Sequence, residues 1–404
     1  MRPMPTGKVL VLGEYRQTVT VVRSLGRAGY NVVLGSNEWR SSTALSRYVR
    51  DLRVFDESSR ERFLDQLEAY LRHEKPDFVF PVGETQARRI AAAASRFLPL
   101  ATWVMPHPAT VLRCFDKTAM YELTPKLGIP TVPWREFTSA QDWAASARAM
   151  GFPVVVKRKD SSAHVKHKKA LIFHSAEQFD NFLAELPSQP DCASLVLQKF
   201  APGMRHNCHV AADQGRLIAL FQQVVLRTDE PDGTGIGVEG ASVPISARLR
   251  HYCKRLLANL GYSGVCCIQF MIEETSGSVA FLEINPRMDS TAALPYRLGY
   301  DYPLLAVQIA AKNKPAPTST SYRRGIRYHW LYGDLMSWHD CLRHGRSSAV
   351  DLIAWVLRMC WASVSSHHLT WDVRDPLPTL HVFWKKIFDA ALKRLQPALR
   401  PLPR

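Results

Sequence analysis

A chain of 404 residues with 46% hydrophobic and 10% aromatic side chains has material for two or three domains with real cores, and exceeds one ordinary domain. Its formal charge of +16 and isoelectric point near 9.6 favour acidic partners, which describes association and not activity. Eight cysteines without a CxxC pair or regular spacing exclude a disulfide-framed secreted module. With no long apolar stretch near "MRPMPTGKVLVLG" and none long enough to span a bilayer, a soluble cytoplasmic protein is expected.

In chain order, "KVLVLG" (8–13) is an apolar run ending in glycine, which predicts a buried parallel strand. A helix over 17–29, a strand at "NVVLGS", a helix over 60–74 and a strand at "DFVFPVGE" follow. This alternation indicates βαβ units and a Rossmann-like domain over 1–112. The first turn, "GEYRQT", lacks GxGxxG, so no dinucleotide site is expected there.

Beyond 113 the pattern changes. A helix carrying Asp116 and Lys117 runs to Gly128, and "GFPVVVKRK" is a β-branched strand reaching Lys157. "SLVLQKFAPG" and "RLIALFQQVVL" read as strands, and "DEPDGTGIG" as a flexible glycine-rich loop. Then "GVCCIQFMI" and "SVAFLEINP" read as a hairpin turning at Ser276, which sets Gln269 opposite Glu283. Alternation puts Glu283, Asn285 and Arg287 on one face and Leu282 and Ile284 on the other. Cross-strand partners lie about 5 Å apart, so Gln269, Glu283 and Asn285 offer three oxygens around one point. A hard divalent cation such as Mg²⁺ takes such ligands, with water and phosphate oxygens completing its shell.

The ordered set of a "DK" helix, "GFPVVVK", "LQKFAPG", "IQF" and "EINPR" resembles the ATP-grasp superfamily over about residues 8–312. The likeness is greatest to its carbamoyl-phosphate-synthase-like branch, which includes carboxylate–amine ligases. The resemblance implies an ATP-grasp core of two α+β subdomains over 113–315, with a lid at roughly 130–202. It implies that Lys117 and Lys157 contact ATP phosphates, and that Gln198, Lys199, Phe200 and Ala201 form the hinge that holds adenine. It assigns Gln269, Glu283 and Asn285 to Mg²⁺ (or Mn²⁺), and Arg287 to the phosphorylated intermediate. The implied activity is ADP-forming ligation of a small-molecule carboxylate to an amine through an acyl phosphate. Two alternatives stand beside it: a nucleotide-binding scaffold or sensor with a degenerate site, and a bicarbonate-dependent carboxylating or carbamoyl-phosphate-type enzyme. Two departures matter: the stretch after Lys157, "RKDSSAHVKHKKA", has no glycine, and the hinge opens with Gln198 where the family often has Glu.

Other features are weighed as follows. Arg227 is a candidate substrate contact or a surface arginine. His206, Cys208 and His209 match no standard zinc spacing; like His164, His167, His367 and His368, they read as ordinary core or surface residues. From 316 a Pro/Thr/Ser linker leads to a basic helical region. Its last segment sets Val382, Phe383, Ile387 and Leu392 against Lys385, Lys386, Lys393 and Arg394, suited to docking or to peripheral contact with a membrane or lipid-linked polymer. No nucleic-acid module is recognisable, so no nucleic-acid partner is expected.

Overall fold

The computed structural model describes residues 7–160, 164–166, 168–186, 192–313, 315–316, 321–345 and 347–385. Three sheets organise it. The first is parallel, with strands Val49–Val54, Asn31–Ser36, Lys8–Leu12, Phe78–Pro81 and Thr102–Trp103 in that spatial order. Val9 and Val11 enter one apolar cluster while Leu10 and Leu12 enter another, so the strand is buried on both faces and must read as continuously apolar. The expected helix Arg60–Glu74 is capped by the Ser59 side chain, which accepts from Arg62 N at 3.1 Å, and it ends at a left-handed Lys75. Phe63, Leu64, Leu67 and Leu71 supply its buried stripe.

The second sheet is antiparallel, in the order Trp134–Glu136, Leu195–Lys199, Val154–Arg158 and Ala170–Phe173. Helices Ala140–Met150 and Ala176–Glu185 cover it through Trp143, Phe179 and Phe182. The third sheet has seven strands, in the order Val279–Asn285, Gly264–Ile272, Met204–Asp213, Arg216–Thr228, Gly237–Ser242, Arg327–His329 and His367–His368. One of its faces packs on helix Ala247–Leu260 through Leu249, Cys253 and Leu256. The other carries the polar side chains described below.

The C-terminal region departs from the expected appendage. Arg327–His329 pairs antiparallel with Gly237–Ser242, and His367–His368 continues the sheet, so this region supplies its edge. Its helices, Leu331–Arg343 and Ala349–Ser365, both lie between those two strands in the chain. Buried Arg23 of the first helix, Gln17–Arg27, pairs with Asp375 at 2.8 Å and donates to Thr370 O at 2.7 Å. Such short strands and a buried ion pair leave little mark on composition. Val382 is buried and Lys385 pairs with Glu38 at 2.6 Å. Ile387, Leu392, Lys386, Lys393 and Arg394 lie outside the described residues, as do His167 and part of the linker. Among the described residues no helix is long and apolar enough to cross a membrane.

Candidate active site

The hairpin register is the one expected at its polar end. Gln269 stands opposite Glu283, and Cys267 opposite Asn285. Two more strands extend the row, because Asn207 is the neighbour of both Gln269 and Gln223. A line of four polar side chains, Gln223, Asn207, Gln269 and Glu283, therefore crosses the sheet on one face. The simple alternation fails at Leu282. The register shifts between Gln269 and Phe270, which leaves Leu282 as a bulge whose carbonyl accepts from the Tyr121 hydroxyl at 2.9 Å. Ile284 stays in the core, but Leu282 lines the cleft beside Glu283.

Asn285 Nδ2 donates to Glu283 Oε1 at 2.9 Å. Burial opposes ionisation of Glu283, but Lys117, the Asn285 hydrogen bond, Lys157 and Arg205 outweigh it and hold the carboxyl below its ordinary value. Arg287 Nη2 pairs with Glu84 Oε2 at 2.9 Å, from the helix Glu84–Ala92 of the parallel sheet. The platform and the first domain thus meet at an ion pair.

Lys117 is placed by a cap. The Asp116 carboxylate accepts from Thr118 N at 3.0 Å and Ala119 N at 3.2 Å, so Lys117 is the first residue of helix Lys117–Lys126. Lys157 comes from the antiparallel sheet, and its ammonium lies 5.0 Å from the centre of the Tyr121 ring. Desolvation, aided by Lys117, pulls Lys157 down to about 7, and Glu283 only partly restores it. Burial lowers Lys117 as well, with Glu283 and Glu84 opposing it, so two desolvated ammonium groups share the site.

These groups surround a cleft of about 400 Å³. Lys157, Gln198, Lys199, Phe200 and Ala201 form its wall from the antiparallel sheet, and Gln269, Glu283, Asn285 and Arg287 its floor. The Gln198 side-chain nitrogen is sealed from solvent without a partner. Lys199 Nζ donates to Gly151 O at 2.9 Å, so its ammonium serves the wall itself. The lining has seven cationic side chains (Arg16, Lys117, Lys157, Lys169, Lys199, Arg205, Arg287) against four carboxylates (Glu84, Asp232, Glu283, Asp289), a surplus suited to a polyanion.

Arg227 falls elsewhere. Its guanidinium pairs with Asp334 and sits over the Trp355 ring at 5.6 Å, and it is absent from the cleft lining. Cys208 and His209 are adjacent on a strand and so point to opposite faces, which removes the three-residue ligand set. His209 instead groups with Cys267 and Asp289 in a buried cluster, where Asp289 accepts from Thr291 N at 2.9 Å. The sequence reading missed Arg16, Glu84, Arg205, Asn207 and Lys169. For Arg205 and Asn207 a signal existed: in "MRHNCHVAAD" the polar residues 205, 207 and 209 alternate with Cys208 and Val210, as a half-buried strand requires.

The donor set fits a hard cation. Gln269, Glu283 and Asn285 present oxygens, and the neighbouring Asn207 Oδ1 is buried without a partner. The glycine-free stretch is joined to the opposite wall, because Lys168 Nζ lies 3.2 Å from both Glu230 and Asp232 of the glycine-rich loop. The flexible glycines of this cleft, Gly233 and Gly235, therefore stand across from the lysines.

Known proteins show the same architecture. The family "Carbamoyl-phosphate synthase L chain, ATP binding domain" matches residues 242–315, the segment that holds the hairpin and Arg287. The arginine-specific carbamoyl phosphate synthase large chain of Geobacillus stearothermophilus is 26% identical over 318 residues, which is 72% of this chain and 28% of that one. The N5-carboxyaminoimidazole ribonucleotide synthase of Pseudomonas aeruginosa is 27% identical over 208 residues, 52% of this chain and 54% of that one. The matches thus span only part of these relatives' own length. Among solved structures, the biotin carboxylase domain of the Hydrogenobacter thermophilus 2-oxoglutarate carboxylase, in complex with MgADP and bicarbonate, superposes with a TM-score of 0.65. It is 18% identical, over 80% of this chain and 73% of that one, a likeness of fold. The hairpin and Arg287 lie inside the matched segment, and over that segment the chain is similar to the ATP-binding domain of the carbamoyl-phosphate synthase large chain.

Proposed function

We propose that this protein is an ATP- and Mg²⁺-dependent ligase that joins a carboxylate to an amine through an acyl phosphate. The observation that carries the reading is the register that sets Gln269 against Glu283, with Asn285 bonded to Glu283, on a floor facing two lysines that burial depresses. A carboxylate is a poor electrophile. Transfer of the γ-phosphoryl group to its oxygen releases ADP and leaves an acyl phosphate. The amine then attacks the carbonyl carbon, the C–O bond to phosphate breaks, and the nitrogen gives up a proton.

Such phosphoryl transfer depends on positioning and on neutralising charge on the phosphoryl oxygens. In this reading Gln198, Lys199, Phe200 and Ala201 hold the base, and Lys117 and Lys157 hold the phosphates. Gln269, Glu283 and Asn285 would hold the cation, which would supply neutralisation of phosphate charge. Arg287, fixed by Glu84, faces the acyl phosphate oxygens. Free cysteines, most of them buried, suit a reducing cytoplasm as the place of action.

The test is ADP release from ATP and Mg²⁺ with pooled carboxylates, amino acids included, and hydroxylamine as the trap. A hydroxamate formed by the wild type and not by Glu283→Ala supports ligation. Nucleotide binding with no ADP from any pool turns the reading to a non-catalytic nucleotide-binding protein. A second reading takes bicarbonate as the carboxylate. The structural neighbour of similar fold that holds MgADP and bicarbonate motivates it, and ADP formation that depends on bicarbonate alone distinguishes it.

A further inference from the structure

Arg16 stands out from the other cations of the cleft. It lies in the turn after the first strand with φ 49° and ψ −100°, a backbone region that suits glycine and strains a branched side chain. Its guanidinium stacks on the Trp330 ring at 4.0 Å, lines the cleft, and makes no hydrogen bond or ion pair among the described residues. Its Nη1 is sealed from solvent with no partner. Nearby carboxylates are engaged elsewhere: Asp289 by Thr291, Asp229 by Ile236 N at 2.6 Å, and Glu84 by Arg287. Desolvation pulls Arg16 down to about 10 despite Asp289 and Asp229, and Arg287 adds repulsion. A strained, desolvated guanidinium with a free N–H has the geometry of a receptor for a carboxylate or phosphate.

Trp330 fixes it. The indole follows the strand Arg327–His329, and Trp330 N donates to Val238 O at 2.8 Å. Its ring presses on Gly333, where a Cβ would stand 2.0 Å away, so only glycine lets helix Leu331–Arg343 pass. The C-terminal region thus reaches the cleft through one aromatic side chain.

We propose that Arg16, held by Trp330, binds an anionic group of the acceptor substrate other than the carboxylate that is phosphorylated. The acceptor is then an acid with a second negative group, either a carboxylate or a phosphate. This rests on the ligase reading, in which the reacting carboxylate lies over the floor with Arg287. Both guanidiniums line the one cleft, Arg287 already paired with Glu84 and Arg16 with a sealed N–H unmet. An acid that satisfies Arg16 as well as reacting over the floor therefore carries a second negative group.

The test is calorimetric titration of the full chain, with MgADP present, using propionate, succinate, glutarate and 3-phosphonopropionate. At least one of the three dianions should bind about tenfold or more tightly than propionate, and which one does separates carboxylate from phosphate. Arg16→Gln should abolish that preference while leaving the MgADP affinity within about twofold, and Arg16→Lys should keep part of it. Arg16→Gly suits the backbone and so guards against misfolding; it should bind like Arg16→Gln. Trp330→Leu should weaken the dianion about threefold and leave propionate unchanged. Equal binding of all four acids by the wild type, or no binding of any, overturns the proposal. So does a parallel loss of MgADP affinity in the Arg16 variants, which would place Arg16 on the nucleotide. Because these are binding readouts, a dianion preference lost in Arg16→Gln with no ADP release from any acid would overturn the ligase reading and leave the subsite standing.

Discussion

Two buried clusters of charge in this molecule differ in how nearly they are finished. At the joint between the large sheet and the C-terminal helices, Asp334 accepts from Arg227 at 2.5 Å, Trp355 at 2.6 Å and His329 at 2.8 Å. Beside it Glu239 takes Arg327 at 2.6 Å and Arg358 at 2.9 Å. Both carboxylates are fully enclosed, and each is met by several donors. Among the described residues the joint keeps one sealed polar atom without a hydrogen-bond partner, Arg327 Nε, whereas in the cleft Arg16, Glu84, Arg205, Arg287, Gln198 and Asn207 each keep one. A satisfied buried network holds elements together, whereas an unsatisfied one waits for a ligand that completes it. Arg227, a plausible substrate contact from its sequence position alone, belongs to the finished cluster.

The sharpest way to break this comparison is to remove one carboxylate from each cluster. In the cleft, Glu283→Gln should lower ADP release by about 10²–10³-fold or more, while thermal melting shows a cooperative transition close to wild type. At the joint, Asp334→Asn should do the opposite. Leaving Arg227 buried without its counter-charge should cost about 3–5 kcal/mol in denaturant unfolding, with MgADP affinity of the folded protein within about twofold of wild type. If Asp334→Asn abolished turnover without loss of stability, the division between the clusters would be wrong. A pH series adds a check. Burial opposes ionisation of Asp334, yet His329, Arg227 and Trp355 hold it at about 2, below the usual 3.8. Its stabilisation is therefore present above pH 3.8, fades as the pH falls toward 2, and should be missing from the variant.

The two clusters were not equally legible in the sequence. The floor could be read because its residues sit on one hairpin, where alternation and a short turn fix which side chains meet. That reading failed only at Leu282, where the bulge re-aims a residue that period-two counting had turned inward. Arg205 and Asn207 were partly legible, since their strand alternates, although its two histidines drew attention to metal chemistry. Arg227–Asp334 and Arg16–Trp330 were not legible. Each joins residues more than a hundred positions apart through side chains whose local sequence is unremarkable. The C-terminal region looked like an appendage for the same reason: a strand of three residues cannot announce its partner.

A finer test of the unfinished cluster uses pH. Burial and Lys117 depress Lys157 to about 7 from its usual 10.5. Between those values the unfolded chain binds more protons than the folded one, so this group makes the ligand-free protein more stable as pH rises. Phosphate binding works in the other direction, because it favours the charged ammonium. The MgADP affinity should therefore fall as pH rises above 7, by up to about tenfold per unit. Lys157→Met should bind weakly at every pH and show a flatter profile in the same titrations. A wild-type profile that is level from pH 6 to 9 would remove Lys157 from the phosphate site.

The smallest expected effect concerns the contact between the glycine-free stretch and the glycine-rich loop. Lys168 bridges Glu230 and Asp232 at 3.2 Å each, with all three side chains partly open to solvent. Such pairs contribute about 0.2–1 kcal/mol apiece, so the bridge is a latch that opens often and not a permanent seal. Lys168→Ala should raise the MgADP dissociation rate about two- to fivefold in stopped flow, with little change in overall stability. Wild-type dissociation should also quicken as ionic strength rises, because exposed charges are screened. The variant should have lost most of that salt sensitivity. If it keeps the wild-type salt response, the sensitivity lies in the cationic lining, and the latch has no part in holding the nucleotide.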